Sequence, residues 1–277
     1  NTGDPTIALT NPNNQFNINF GSGTSLTGGA SGACLLAWAR DARTVYGDFT
    51  VTVAADAGNF NGLAFTGDGN RDDAIITYGT HTLVVNGGTW EGTTSGSAGD
   101  AVWCIALGIE SFKHVGDIDF TINGGTFNGM VSAGAARGNG AGNILGNVDL
   151  KITDGTFSGV VSLFGNGTVN YGDTEEGKNY KGNLNISGGI FNANILGLGT
   201  GTAISIKQNA EALLNINGGL FNENVFAQGA TATISGGTFT EGKKLFAGTI
   251  VSNAGGGTIT SNLASTNMTL DLGDGSI

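Results

Sequence analysis

The chain has 277 residues, of which 51 are glycine and only 2 are proline. The glycines follow no three-residue collagen period, and 39% hydrophobic residues, 15 of them Phe, are too many for a disordered low-complexity chain. With 22 acidic and 11 basic residues the net charge is −11, and no apolar run approaches the roughly 20 residues of a membrane span, so we expect neither nucleic-acid binding nor membrane insertion.

The N-terminal residues predict a short strand followed by a breaker. Residues 11–13 read Asn-Pro-Asn, which interrupts regular structure. An extended segment placed before a breaker is suited to pairing with the open sheet edge of another molecule. We therefore expect residues 1–12 to be a strand-donating tail; a removed export signal is neither indicated nor excluded. The residues of this predicted assembly strand are Thr6, Ile7, Ala8, Leu9 and Thr10.

One motif recurs through the middle of the chain. It reads apolar-x-apolar, a polar residue, Gly-Gly, any residue and an aromatic, with small departures between copies. A second apolar motif follows, and Val131, Val161, Ile195 and Val225 each lie four residues after their aromatic. Two linked motifs that recur together indicate a repeating unit of several strands. The copies are Leu83–Gly92, Phe120–Gly129, Leu150–Gly159, Leu184–Ala193, Leu214–Glu223 and Ala232–Glu241, with a degenerate copy at Phe49–Gly62.

The pattern predicts an all-β fold, a right-handed parallel β-helix of about nine coils in one domain over residues 1–277. Apolar residues alternate with period 2, which is typical of strands, and the handedness rests on the general preference of parallel crossovers. The shortest coil has 18 residues, from Phe221 to Phe239, and we expect longer coils to carry inserted loops. An up-and-down barrel is the alternative; propeller blades need about 40–50 residues. The predicted core stack is Phe127, Phe157, Phe191, Phe221 and Phe239.

The repeat resembles the Gly-Gly-x-Phe β-helix repeats of bacterial cell-surface and adhesin-like proteins. The resemblance covers approximately residues 48 to 260. It implies an exported protein that is extracellular or attached to the cell surface. It implies no catalytic residue, because that broad class shares none.

The coil map also predicts the state of the two cysteines. Cys34 and Cys104 fall in second-motif strands two coils apart, which places them about 9–10 Å from each other. A disulfide needs Cα atoms within about 7 Å. We therefore expect two free thiols, mostly buried.

One segment resembles half of a calcium-binding loop. Its candidate ligands are Asp68, Asn70 and Asp72, with the D-x-N-x-D spacing that hard cations favour. The glycine expected next is Asp73, and the twelfth position is Gly79, which offers no carboxylate. We therefore expect a solvated acidic loop and no cofactor, with a calcium site as the alternative.

Acid–base chemistry has few candidates. Asp117 and Asp119 alternate onto one side of a strand and Asp149 is expected to stack nearby, as a polysaccharide lyase or glycoside hydrolase would require. His81 and His114 are too far apart in sequence to predict a pair. We expect these aspartates to mark a solvated strand face, and we expect no enzyme.

The C-terminus predicts a second open edge. Residues 262–277 include an alternating strand-like stretch whose apolar members are Met268, Leu270 and Leu272. Edges at both ends favour head-to-tail pairing of identical copies. The sequence thus predicts a structural or adhesive subunit of a surface filament; a monomeric glycan-binding adhesin module is the alternative.

Overall fold

A computed structural model describes residues 13–27, 33–37, 44–66, 75–93, 102–109, 111–136, 141–173, 177–199, 204–227, 229–246, 258–261 and 269–271. These residues contain 31 strands and no helix. In chain order the strands are β1 (Gln15–Phe20), β2 (Ala33–Ala37), β3 (Thr44–Tyr46), β4 (Asp48–Val53), β5 (Asn59–Phe60), β6 (Gly62–Thr66), β7 (Ile75–Tyr78), β8 (His81–Val85), β9 (Thr89–Trp90), β10 (Trp103–Gly108), β11 (Phe112–Val115), β12 (Ile118–Ile122), β13 (Thr126–Phe127), β14 (Met130–Ser132), β15 (Ala141–Leu145), β16 (Val148–Ile152), β17 (Thr156–Phe157), β18 (Val161–Ser162), β19 (Thr168–Tyr171), β20 (Tyr180–Ile186), β21 (Ile190–Phe191), β22 (Ile195–Leu196), β23 (Ile204–Ile206), β24 (Ala210–Ile216), β25 (Leu220–Phe221), β26 (Val225–Phe226), β27 (Thr231–Ile234), β28 (Thr238–Phe239), β29 (Lys244–Phe246), β30 (Thr258–Ser261) and β31 (Thr269–Asp271).

The strands form four parallel sheets, and the chain visits them in turn. Sheet A is β1-β4-β8-β12-β16-β20-β24-β27-β30, and sheet B is β5-β9-β13-β17-β21-β25-β28. Sheet C is β2-β6-β10-β14-β18-β22-β26-β29-β31, and sheet D is β3-β7-β11-β15-β19-β23. Each strand pairs with the equivalent strand one coil away. The chain is therefore a parallel β-helix, and the nine strands of sheets A and C agree with the predicted coil number.

The apolar-x-apolar part of the repeat forms sheet A. Its apolar members point inward and are buried, while the residues between them lie on the outer face. Equivalent side chains stack along the axis because neighbouring strands are in register. One such inward column, fully buried, is Leu83, Phe120, Leu150, Leu184 and Leu214.

The second glycine of each Gly-Gly pair makes the corner between sheets A and B. Gly125 has φ 118° and Gly219 has φ 103°, a region that residues with a Cβ rarely adopt. The corner turns the next aromatic inward, where the predicted core residues Phe127, Phe157, Phe191, Phe221 and Phe239 form one continuous stack. Successive ring centroids are 4.9, 4.9, 5.0 and 4.7 Å apart, with interplanar angles between 5° and 15°.

Sheet D corrects the expectation that long coils differ only by inserted loops. The extra residues form a fourth strand in six coils, for example β15 and β19. The segment 170–181 likewise begins in β19 and ends in β20. Between them, the Asp173 carboxylate accepts hydrogen bonds from Asn209 Nδ2 at 2.7 Å and Tyr180 OH at 3.2 Å.

The coil from Phe221 to Phe239 has no sheet D strand in its described part. β26 ends at Phe226 and β27 begins at Thr231. Three alanines, Ala227, Ala230 and Ala232, are buried in this short coil. The shortest coil therefore has three strands among the described residues, whereas each coil from β5 to β24 has four.

The cysteines lie as predicted, two coils apart. Cys34 is in β2 and Cys104 in β10, with β6 between them. Cys104 is a free, buried thiol whose Sγ lies 3.3 Å from the Trp90 carbonyl and accepts the Gly129 N–H at 3.1 Å. Burial raises the pKa of Cys104 to about 12, so this thiol is inert. The side chain of Cys34 lies outside the described residues.

Candidate functional site

Most residues predicted from sequence for calcium binding and assembly lie outside the described residues. This applies to Asp68, Asn70 and Asp72, to Thr6, Ile7, Ala8, Leu9 and Thr10, and to Met268 and Leu272. Leu270 is the exception. It lies in β31, the last strand of sheet C, and pairs in parallel with Leu245.

Neither a metal cluster nor a membrane-spanning helix is present in the described part of the chain. There, no three or more His, Cys, Asp or Glu side chains come together as metal ligands would. Over the same residues, no helix has the length and apolarity to cross a bilayer.

β1 is the outermost described strand of sheet A at the N-terminal end. Its one strand neighbour among the described residues is β4. The carbonyls of Asn14 and Phe20 accept hydrogen bonds from β4 and the residue after it, at 2.8 and 2.9 Å. Because backbone groups of successive strand residues point to opposite sides, those of Gln15, Asn17 and Asn19 point away from β4. This strand therefore presents a row of backbone donors and acceptors at the sheet edge.

The inward side of β1 is apolar and incompletely covered. Phe16, Ile18 and Phe20 are partly buried, whereas their β4 partners Phe49 and Val51 are 4% and 0% exposed. Phe16 stacks on Phe49 with ring centroids 4.5 Å apart. The inward column of apolar side chains thus continues from β4 into β1. At this end of sheet A the described residues cover the column only in part.

The outer face of sheet A carries a ladder of charged and amide side chains. Asp119 and Asp149 stack in register, as predicted, and Lys151 Nζ lies 3.1 Å from Asp119 Oδ1 and 3.0 Å from Asp149 Oδ2. Burial lowers the pKa of Lys151, but hydrogen bonds to Asp149 and Asp119 outweigh it and leave that pKa raised. The ladder continues through Asn185 Nδ2, 2.7 Å from Asp149, and Asn215 Nδ2, 2.9 Å from Asn185.

Asp117, the third carboxylate considered from sequence, has a different contact. Its Oδ1 accepts hydrogen bonds from the Asn147 backbone N–H at 2.8 Å and from Asn147 Nδ2 at 3.2 Å. The predicted aspartates therefore connect neighbouring coils. Lys151, two residues after Asp149 on the same outer face, supplies a cation between two of the three.

A shallow polar groove runs across three coils of this face. Its volume is about 320 Å³. The amide, hydroxyl and amine groups that line it belong to Lys151, Thr153, Asn185, Ser187, Asn215 and Asn217. Such a lining presents both hydrogen-bond donors and acceptors. The groove is not among the features predicted from the sequence, although the polar outward positions of the repeat are a signal for it.

The prediction that His81 and His114 do not form a pair is wrong. Their ring centroids are 4.3 Å apart inside the solenoid. His114 pairs in sheet D with Thr77, and Thr77 precedes His81 by four residues around the corner to sheet A. One turn of the solenoid therefore brings together residues that are distant in sequence.

No protein-family model, curated protein or solved structure matches this chain. The resemblance to Gly-Gly-x-Phe surface repeats accordingly stays a prediction. The functional proposal rests on the fold and on the geometry of its end and outer face.

Proposed function

We propose that the chain is an extracellular structural and adhesive β-solenoid whose copies join head-to-tail into a surface filament. The observation that carries the proposal is the N-terminal end of sheet A. There β1 combines backbone groups that point away from β4 with inward apolar side chains that are only partly covered. An unpaired edge of this kind is a template for another strand.

Head-to-tail geometry follows from the parallel direction of every sheet. Two copies that meet through identical ends would bring antiparallel strands together, whereas β1 against β30 of another copy continues sheet A in parallel. Contact between two different surfaces of one molecule repeats without closing and produces a filament. The apolar side chains of β1 would be covered by the next copy, which supplies the hydrophobic driving force.

A proline at position 17 tests this edge. Proline has no backbone N–H and is tolerated in edge strands where that group faces outward. Because Asn17 points its N–H away from β4, the Asn17→Pro variant removes an edge donor and leaves the β1–β4 hydrogen bonds in place. Asn17→Thr is the matched control, since it changes the same side chain and keeps the donor.

Negative-stain electron microscopy and sedimentation velocity of the full chain and both variants provide the measurement. We expect filaments from the unchanged chain and from Asn17→Thr, and single rods from Asn17→Pro. Single rods from all three would reject assembly through this edge. Equal filaments from all three would show that β1 is not the contact.

A glycan-binding adhesin module is the second candidate, and the polar groove across Lys151, Asn185 and Asn215 favours it. Amide and hydroxyl groups at regular spacing match the alternating donors and acceptors of sugar hydroxyls. Lys151 is flanked by two carboxylates, which favours a neutral glycan over a strongly anionic one.

A glycan array with the full chain tests the groove. Binding that is saturable, weakened at least about tenfold by Asn217→Ala and unchanged by Asn192→Ala on another corner would support this candidate, since a tenfold change corresponds to about 1.4 kcal/mol, the value of one good hydrogen bond. No binding, or equal binding by both variants, would reject it.

A further inference from the structure

The two histidines of the chain meet inside the solenoid, together with one threonine. His81 and His114 are fully buried, with centroids 4.3 Å apart and rings tilted by 40°. Thr77 Oγ1 lies 2.9 Å from His114 Nδ1. We refer to Thr77, His81 and His114 as the histidine cluster.

The cluster occupies positions that are apolar in the adjacent coils. His81 stands in register with Phe49 and Ile118, and His114 with Ile144. The His81 ring also stacks on Phe65 with centroids 4.9 Å apart. Two imidazoles therefore replace hydrophobic side chains in the continuous core of sheets A and D.

The ring nitrogens are poorly satisfied. Within the described residues, the Thr77 hydroxyl forms a hydrogen bond with His114 Nδ1, and backbone groups of Gly116 and Asp117 also lie beside the His114 ring. His81 Nδ1, His81 Nε2 and His114 Nε2 are buried without a partner there. A buried polar group without a hydrogen bond costs about 1–3 kcal/mol, so simple packing would favour apolar residues at these places.

Protonation of either ring is opposed by its surroundings. Burial, with a smaller contribution from His114, holds the pKa of His81 well below its usual value. Burial lowers the pKa of His114 to about 4, although Asp117 acts in the opposite direction. A proton on one ring also repels a proton on the other at this separation.

Other ionisable groups around the cluster lie on the outer face of the solenoid or in the turn after β11. Strand alternation directs them away from the core, and Asp48 and Asp117 accept backbone hydrogen bonds from Thr80 and Asn147. β6 and β15, which also pack here, carry no ionisable residue in their strands. The outward groups are Tyr46, Asp48, Tyr78, Lys113 and Asp119, and the turn contributes Asp117.

We propose that the histidine cluster is an acid-operated latch: proton uptake by the imidazoles opens the coils around β7, β8, β11 and β12, while the histidine-free C-terminal coils stay closed. The opened coils expose strand edges and apolar core in the N-terminal half alone. The latch is independent of whether copies assemble or bind a glycan.

The direction of the pH dependence follows from the two states. In the open state both pKa values return to about 6.5, and in the closed state they are lower. The closed state is therefore fully favoured above about pH 6.5, and this preference is lost as the pH falls toward 4. At pH 4.5, His114 alone raises the opening equilibrium constant on the order of 80-fold relative to pH 7.5.

Hydrogen exchange with mass spectrometry on the full chain, corrected for intrinsic exchange rates, tests the location of the opening. Between pH 7.5 and 4.5 we expect protection in β7–β8 and β11–β12 to fall at least on the order of 80-fold, and protection in β20–β25 to change less than about threefold. The double variant His81→Leu, His114→Ile should abolish the loss. Lys113→Met, on the outer face beside His114, is the matched control and should retain it.

Equal loss in both regions, no loss in the unchanged chain, or the same loss in the double variant would each overturn the latch. A titration of the two imidazoles by NMR in the unchanged chain decides the matter if the double variant does not fold. Ring signals that titrate below about pH 5 support the latch, and titration of both near pH 6.5 contradicts it.

Discussion

The coils before Phe221 and the coil after it both enclose an apolar interior, but with different numbers of strands. In the longer coils four strands enclose the interior, and large side chains such as Tyr171 and Phe164 fill it, with centroids 4.7 Å apart. In the short coil the described residues contribute three strands. The sheet A column that carries Leu150, Leu184 and Leu214 then reaches the small Ala232.

The difference in side-chain size is confined to one inward column: Leu214 is followed by Ala232, whereas Ile216 is followed by Ile234. Close packing tolerates neither voids nor excess volume, so we infer that the loss of a sheet D strand narrows the interior beside Ala232. The aromatic stack is the exception. It crosses both regions unchanged because sheet B and its glycine corner are present in both.

The largest effect on stability is expected from removing one ring from the middle of the aromatic stack. Phe157 is fully buried between Phe127 and Phe191, so Phe157→Ala leaves a cavity and should lower the free energy of unfolding by about 3–5 kcal/mol. Phe239, which is only partly buried, is the matched site, and Phe239→Ala should cost about 1 kcal/mol. Urea unfolding of both variants measures the difference. Equal losses would mean that the stack is equally enclosed in both regions.

An intermediate effect is expected from enlarging the short coil. Ala232→Leu gives this coil the side chain of the four-strand coils, and the narrower interior should make it destabilising by about 1–3 kcal/mol in thermal or urea unfolding. Leu214→Met, one coil earlier, conserves volume and should cost less than about 1.5 kcal/mol. A stabilising Ala232→Leu would show that the short coil has unfilled space.

The smallest effect is expected on the outer face, where coil cross-section does not matter. Lys151→Met removes contacts to two aspartates in the four-strand region, and Lys243→Met removes a 3.0 Å contact to Glu223 beside the short coil. Each should change the free energy of unfolding by less than about 1 kcal/mol, with the difference shrinking as salt is added, because the pairs are partly solvated. A salt-independent loss of several kcal/mol in either variant would contradict this assignment.

The sequence predicts those parts of the fold that repeat with recognisable residues. The Gly-Gly-x-aromatic motif fixes the corner, the register of sheets A and B, and the Phe127–Phe239 stack. Val131, Val161, Ile195 and Val225 pair in register one coil apart, as their constant offset predicts. These features are local in sequence, so one chain is sufficient to find them.

Sheet D and the histidine cluster cannot be predicted from local sequence motifs. No single residue type recurs through all the sheet D strands at any position; β7 reads IITY, β11 reads FKHV and β19 reads TVNY. Their strand character comes from pairing with neighbours and not from their own pattern. His81 and His114 meet only because sheet D places His114 beside Thr77, so their contact cannot be predicted without sheet D.

The candidate assembly site is likewise only partly predictable from the sequence. Open sheet edges are a general consequence of the predicted fold, and the sequence placed strand donation in residues 1–12, which lie outside the described residues. The exposed edge of β1 and its partly covered Phe16, Ile18 and Phe20 depend on tertiary packing, which no local motif specifies.

Cryo-electron microscopy of the unchanged full chain at rising concentration tests head-to-tail assembly most directly. If copies join through β1 and continue the four sheets, the filaments will show an unbroken strand spacing of about 4.8 Å along their axis and a subunit repeat of roughly 43 Å or somewhat more, the length of nine coils. Isolated rods of that length at every concentration, or filaments whose strand spacing breaks between subunits, would contradict the account.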